Sequence, residues 1–128
     1  MKEWFISITE DDKFSLVCCD PERDSMLDFF YSQIKCSSIE CVRIKPDSLG
    51  RDILMVVDEE GLLRYHRDNV IASLLYQKYG ACSSIVGTVL IGEPGIRDGE
   101  PDIVGFSERS TALLTYAKLL ADINPLNQ

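Results

Sequence analysis

The chain has 128 residues, one domain's worth, with 45% apolar and 27% charged side chains, a globular rather than a disordered composition. Its 13 Lys and Arg stand against 21 Asp and Glu, a formal net charge of −8; this argues against direct nucleic-acid binding or a polybasic membrane-surface role, both of which need cations to meet phosphate. No run approaches the ~18 apolar residues that span a bilayer, and the opening Met1-Lys2-Glu3-Trp4-Phe5 has an early acid and too short an apolar stretch for a signal peptide, so a cytoplasmic protein is expected.

Trp4-Phe5-Ile6-Ser7-Ile8 and Phe14-Ser15-Leu16-Val17-Cys18 flank the polar break Glu10-Asp11-Asp12-Lys13 and read as an opening hairpin. Asp20-Pro21-Glu22 is a helix-start signature, with Asp20 as cap and Pro21 preset for the first turn. Met26, Leu27, Phe30 and Ile34 behind it recur at helical spacing and predict one buried face. Ile39 to Ile44 alternates as a half-buried strand, and after the turn Lys45-Pro46-Asp47 the apolar run Ile53 to Val57 predicts an interior strand. Asp58-Glu59-Glu60-Gly61 reads as a tight turn, and Leu62-Leu63-Arg64-Tyr65 as a short returning strand.

Asn69 to Tyr79 predicts a helix with Val70, Ile71, Leu74 and Leu75 inward and Gly80 as its terminator. Ile85 to Ile91 predicts a second interior strand, with Gly87 marking a bulge or close approach. The stretch 92–101, rich in glycine and proline, is expected as a mobile surface loop. Ile103 to Phe106 is a last short strand. Ser107 is expected to cap a helix to about Asp122 with Leu113, Leu114, Ala117 and Leu120 or Ala121 facing in, and 123–128 to form a loose tail. The fold class expected from these elements is α+β: a single compact domain over 1–128, a mostly antiparallel sheet with about three helices, in the order ββα-ββα-ββα.

The five cysteines, Cys18, Cys19, Cys36, Cys41 and Cys82, are odd in number and lack a secretory context, so reduced thiols are expected, several as small core hydrophobes. Cys36-x4-Cys41 with Cys82 or His66 is a poor zinc set, because structural zinc normally uses close ligand pairs on tight turns; no metal and no cofactor are expected. His66, the only histidine, lies in a polar loop, and neither a G-x-S-x-G elbow nor an H-E-x-x-H helix occurs. The glycines from Gly92 to Gly99 match no phosphate-binding pattern, and Asp58-Glu59-Glu60 lacks calcium-loop spacing. Duplex DNA carries about one charge per 1.7 Å, so a net charge of −8 suits at most a partial DNA mimic. The least ordinary local feature is Arg64, Tyr65, His66 and Arg67, a basic-aromatic patch on an acidic chain. Such side chains suit contact with a protein partner or a small anionic ligand.

An ordered series of four segments resembles a known family. Val57-Asp58-Glu59-Glu60-Gly61-Leu62-Leu63, Asn69-Val70-Ile71-Ala72-Ser73-Leu74-Leu75-Tyr76, Ile85-Val86-Gly87-Thr88-Val89-Leu90-Ile91 and Val104-Gly105-Phe106-Ser107-Glu108 are similar to the small bacterial and phage family called domain of unknown function 3846. The likeness covers about residues 1–120, with Lys35-Cys36 standing where the family usually shows a glycine pair. The resemblance implies an accessory domain of phages and mobile elements, with no catalytic residues to carry over, and it alone brings in an anti-defence role. The expected function is a non-enzymatic binding module, monomer or homodimer; the alternatives are a small enzyme using carboxylates or Cys82 and the partial DNA mimic.

Overall fold

The computed structural model describes residues 1–64, 67–80 and 83–124. Nine elements carry the fold: β1 (Glu3–Ile8), β2 (Phe14–Cys19), α1 (Met26–Ile34), β3 (Ile39–Ile44), β4 (Ile53–Asp58), α2 (Val70–Lys78), β5 (Val89–Arg97), β6 (Glu100–Val104) and α3 (Arg109–Ile123). A short 3₁₀ turn, Gly61–Arg64, comes directly after β4. The six strands form one antiparallel sheet in the order β2-β1-β5-β4-β3, with β6 paired to the distal half of β5. The α+β class, the antiparallel sheet and the ββα ordering expected from the sequence are what the chain adopts.

The two runs expected to be interior are interior, since β4 lies between β3 and β5, and β5 between β1 and β4. Alternation sends their side chains to two cores. On one face Ile6, Ile8, Met55, Val57, Val89 and Ile91 pack with Leu75 of α2 and with Ala112, Tyr116 and Leu119 of α3. On the other, Phe5, Val56 and Leu90 pack with Phe30 and Ile34 of α1. The result is a sheet with helices on both faces. Gly92 and Gly105 hold Phe5 between them: a Cβ on Gly92 would stand 2.8 Å from the ring and 2.7 Å from the Val104 carbonyl oxygen, and one on Gly105 would stand 2.9 Å from the ring.

Several boundaries differ from expectation. The first helix begins at Met26, not behind Asp20. Asp20 instead closes a turn, accepting from the Glu22 N–H through its side chain (3.1 Å) and from the Asp24 N–H through its carbonyl (2.8 Å). Ser25 is the cap, its side chain accepting from the Asp28 N–H. Phe30 and Ile34 are buried as expected, whereas Leu27 is exposed. In α2 Ala72, Ser73 and Leu75 are buried and Ile71, half-buried, packs against the core as expected; Val70 and Leu74 face out. The second interior strand starts at Val89, because Gly87, at φ 78°, bends the chain just before it.

The segment 92–101, expected as a loop, is instead the two arms of the β5–β6 hairpin. Its connection is Asp98-Gly99, both at positive φ (53° and 81°), the conformation of a two-residue primed turn. Pro94 and Pro101 are tolerated because this hairpin extends beyond the sheet's central ladder, where fewer N–H donors are required. The final helix begins without the Ser107 cap: Glu108 holds that position and makes no side-chain capping bond. Its buried face is also not the one expected. Ala112, Thr115, Tyr116 and Leu119 point in, while Leu113, Leu114, Ala117, Leu120 and Ala121 point to solvent. The Tyr116 ring stacks on Phe14 (4.0 Å between centroids, 4° between planes), and the Thr115 hydroxyl donates to the Thr111 carbonyl at 2.8 Å, so this more polar face is the satisfied one. Of the expected tail, Ile123 still belongs to α3, and 125–128 lie outside the described residues.

Candidate binding surface

The turn after β4 is built around one carboxylate. The Asp58 side chain is almost fully buried, and its Oδ1 accepts from the Glu60 N–H at 2.9 Å. The carbonyl of Glu60 then accepts from the N–H groups of Leu63 (3.0 Å) and Arg64 (3.1 Å), which winds Gly61–Arg64 into a 3₁₀ turn rather than the expected strand. Gly61 is required here by space, since a Cβ would lie 2.7 Å from Val86 Cγ2. Arg64 folds back, Nε 3.5 Å from Asp58 Oδ2 and Nη2 donating to the Lys35 carbonyl at 3.3 Å. With the turn pinned at both ends, Leu62 and Leu63 stand in solvent, 71% and 75% exposed.

Three residues on, Arg67 is held from a different direction. Its N–H donates to Glu10 Oε2 at 2.8 Å, its guanidinium pairs with Asp11, and its carbonyl accepts from the Gly87 N–H at 3.0 Å. The chain thus ties Arg64 to the end of β4 and Arg67 to the β1–β2 turn. Tyr65 and His66, which complete the patch read from the sequence, lie outside the described residues. Both arginines already face a carboxylate. An added anion at either one would compete with an intramolecular partner. The sequence marked Arg64 and Arg67 but passed over Leu62 and Leu63, whose apolar character fitted an ordinary strand.

Behind the turn lies a cavity of about 150 Å³, bordered by Glu40, Asp58, Gly61, Leu62, Tyr76 and Ser84. Small-molecule pockets usually hold about 300–1,000 Å³, so this space is too small for most organic ligands. A hollow of about 380 Å³ lies beside Glu3, Glu22, Arg97 and Ser107. There Arg97 is occupied: it donates to both Glu3 oxygens (2.8 and 3.0 Å), to Asp102 (2.9 Å) and to the Ile103 carbonyl (3.0 Å). The Glu3 bond, ahead of the Asp102 contact, raises the Arg97 pKa further despite partial burial.

Three thiols, Cys19, Cys36 and Cys41, are pushed away from the thiolate form, in each case by burial first. Burial first, then the Asp24 carboxylate, pushes Cys19 up to about 11, and burial followed by Asp58 raises Cys36. Cys41, expected to be a core thiol, is exposed on β3 on the same face as Arg43, because Val42 and Ile44 take the inward positions. Cys82 lies outside the described residues. Among the described residues, no group of three or more His, Cys, Asp or Glu side chains converges on a point where a metal could sit.

No protein-family model matches the chain, and the curated proteins give no match. Among solved structures, the chain is similar to part of the crystal structure of the small RNA methyltransferase HEN1, with a TM-score of 0.64 and 12% sequence identity. The match covers 94% of this chain and 16% of that one. At that identity the likeness is one of fold alone, and the chain spans about a sixth of the length of the protein it matches. No helix among the described residues is long and apolar enough to cross a membrane.

Proposed function

We propose that this chain is a non-enzymatic binding module whose partner is a protein, contacted through the turn Leu62-Leu63-Arg64 and the adjoining Tyr65, His66 and Arg67. The observation that carries the reading is the exposure of Leu62 and Leu63 on a turn fixed by Asp58 and Gly61. Two leucines held out on a rigid support lose little conformational freedom on binding, and flanking arginines are the side chains that most often anchor an interface. A protein surface is favoured over a small anion because Arg64 and Arg67 are already paired. A protein can supply apolar area to the leucines while leaving those pairs intact.

The resemblance to the uncharacterised phage and mobile-element family supports an accessory role in that setting, with anti-defence activity as its more specific form. The enzyme alternative draws no support from Cys19 or Cys36, whose thiolates are disfavoured. RNA methylation is not proposed for this chain, since the likeness to HEN1 spans 16% of that protein and a net charge of −8 opposes RNA.

The test is affinity capture with the wild-type chain and with a Leu62→Ser, Leu63→Ser double variant of unchanged thermal stability. A specific protein retained by the wild type and weakened at least ~tenfold by the double change supports the reading. Equal recovery by both, or retention of no protein, overturns it.

A further inference from the structure

The sheet ends at β3, whose ladder partner is β4; among the described residues no other strand pairs with it. The phase of that ladder decides which backbone groups face outward. Ile39 stands opposite Asp58 and, one step along, the Ser38 carbonyl accepts from the Glu59 N–H at 3.2 Å. Hydrogen-bonded pairs recur at every second residue of an antiparallel ladder, so Glu40, Val42 and Ile44 turn their N–H and carbonyl groups toward β4. Ile39, Cys41 and Arg43 turn theirs to the open side. The register is unbroken from Ile39 to Ile44 and the strand holds no proline, so neither a bulge nor a missing donor blunts this edge. A hollow lies beside the edge on each face of the sheet. One, of about 150 Å³, is the cavity behind the Asp58 turn, where Glu40 and Glu59 border walls formed by Val42, Val57 and Val86. The other, of about 460 Å³, is bordered by Cys41, Arg43, Leu54, Pro94, Pro101 and Asp102.

We propose that the open edge of β3 takes up an extended segment of a partner protein as an added strand, with a lysine or arginine of that segment entering the cavity between Glu40 and Glu59. The inference deepens the binding-module reading and rests on it in taking the partner to be a protein; Leu62 borders the same cavity, so the two surfaces are continuous. Main-chain bonds to Ile39, Cys41 and Arg43 provide attachment, and alternate side chains of the added strand fall into the two hollows and set its sequence preference. The smaller cavity is too tight for most organic ligands but suits a single side chain. A basic residue matches it, with its aliphatic stem along the three valines and its charged head at the carboxylates. Glu40 and Glu59 are exposed, and among the described residues neither has an ion-pair partner. The neighbouring bases are engaged elsewhere, Arg43 by Asp52 at 2.7 Å and Arg64 by Asp58. The net charge of −8 also favours the approach of a basic segment. A second copy of the chain suits this edge poorly, since it brings another −8 and would set its own Glu40 beside the first.

The probe is a phage-displayed library of random peptides of about ten residues, long enough to pair along all of β3, selected on the full chain. Enriched sequences should carry a Lys or Arg at a fixed position, flanked by β-branched or aromatic residues. A synthetic peptide of the enriched sequence should bind the wild type and weaken at least ~tenfold on Glu40→Gln. Cys41→Pro removes an outward donor that the strand itself does not use, and should weaken binding by at least ~tenfold. Cys18→Pro makes the same change on the opposite edge strand, where the Thr9 N–H to Lys13 carbonyl bond sets the phase that turns Cys18 outward, and should leave binding unchanged. Methylating the peptide's amide nitrogens in one alternate phase should abolish binding and in the other should not, whether or not Cys41→Pro folds. No enrichment, enrichment without a base, or binding that ignores Glu40→Gln or amide methylation overturns the proposal. Leucine-dependent capture of a protein with no enriched peptide overturns this inference alone. Peptide binding as described, with capture that ignores Leu62→Ser, Leu63→Ser, removes the leucine turn from the interface and leaves the β3 site standing.

Discussion

Asn69 donates its side-chain amide to the Ile8 carbonyl at 2.9 Å, joining the start of α2 to the end of β1 across 61 positions of sequence. The same amide donates to the Gly87 carbonyl at 2.9 Å, and Asn69 Oδ1 accepts from the Ala72 N–H at 3.1 Å. The residue is fully buried. It therefore does two jobs: it caps a helix, and it satisfies two backbone carbonyls at the place where β1, α2 and the bend before β5 meet.

These two jobs separate on substitution. Asn69→Ala loses a cap worth ~1 kcal/mol and strands two buried carbonyls, for a total of about 2–4 kcal/mol. Asn69→Asp keeps the capping oxygen but turns a carboxylate on those carbonyls, so it should destabilise at least as much. Urea unfolding of both variants is the check. A near-neutral Asn69→Asp would reduce Asn69 to a simple cap.

How far the sequence could be read is clear from particular residues. Asn69 as a helix start and the long apolar runs of β4 and β5 were legible, because capping chemistry and continuous apolarity each point one way. In the β5–β6 hairpin the glycines and prolines of 92–101 carry a loop signal that outweighs Asp98-Gly99, which is itself a strong two-residue turn signal. In α3 both sides of the helix are apolar, and periodicity favoured the leucines over the side that Tyr116 and Thr115 bury. At the candidate surface Arg64 and Arg67 stood out by residue type. Their pairing to Asp58 and Asp11 depends on tertiary approach and leaves no local pattern.

Lys35 ends α1 at φ 62°, with its N–H and that of Cys36 both donating to the Tyr31 carbonyl (2.8 and 3.1 Å). A left-handed residue in this place strains a side chain that glycine lacks. Lys35→Gly should stabilise the fold by about 0.5–1 kcal/mol, after the entropy lost to the more flexible unfolded chain. A rise in the thermal midpoint checks this. A fall would mean that the aliphatic stem of Lys35 contributes more than its backbone costs.

Glu3 fastens the β5–β6 hairpin to the first strand. Its carboxylate accepts from both Arg97 Nη atoms and from the Gly105 N–H (2.8 Å). Burial by itself would raise this carboxyl, but the Arg97 and Gly105 bonds outweigh it and hold the pKa below the ordinary 4.5. A lowered folded-state pKa gives stability that is fully present above about 4.5 and is lost as pH falls through the lower folded value. Glu3→Gln should cost about 1–3 kcal/mol at pH 7. The gap between wild type and variant should be narrower at about pH 3 than at pH 7. Urea midpoints at the two pH values measure it, and an equal gap at both would show that the charge of Glu3 contributes nothing.

Cys18 and Cys19 are neighbours on β2 with opposite surroundings. Alternation along a strand turns Cys18 to solvent and Cys19 inward. The Cys19 sulfur lies 3.4 Å from Met26 Sδ and 3.8 Å from Asp24 Oδ2, and burial together with that carboxylate lifts its pKa to about 11. Alkylation requires the thiolate, and at pH 8 a thiol with that pKa is ionised in only about one molecule in a thousand. Iodoacetamide at pH 8 should therefore modify Cys18 of the folded chain far faster than Cys19, by at least ~tenfold, as read by peptide mass mapping. Unfolding in urea should bring the two rates together. Asp24→Asn removes the nearby negative charge and should speed Cys19 without changing Cys18. Equal rates in the folded chain would contradict the inward placement of Cys19, and an unchanged Cys19 rate in Asp24→Asn would leave burial as the whole cause of its protection.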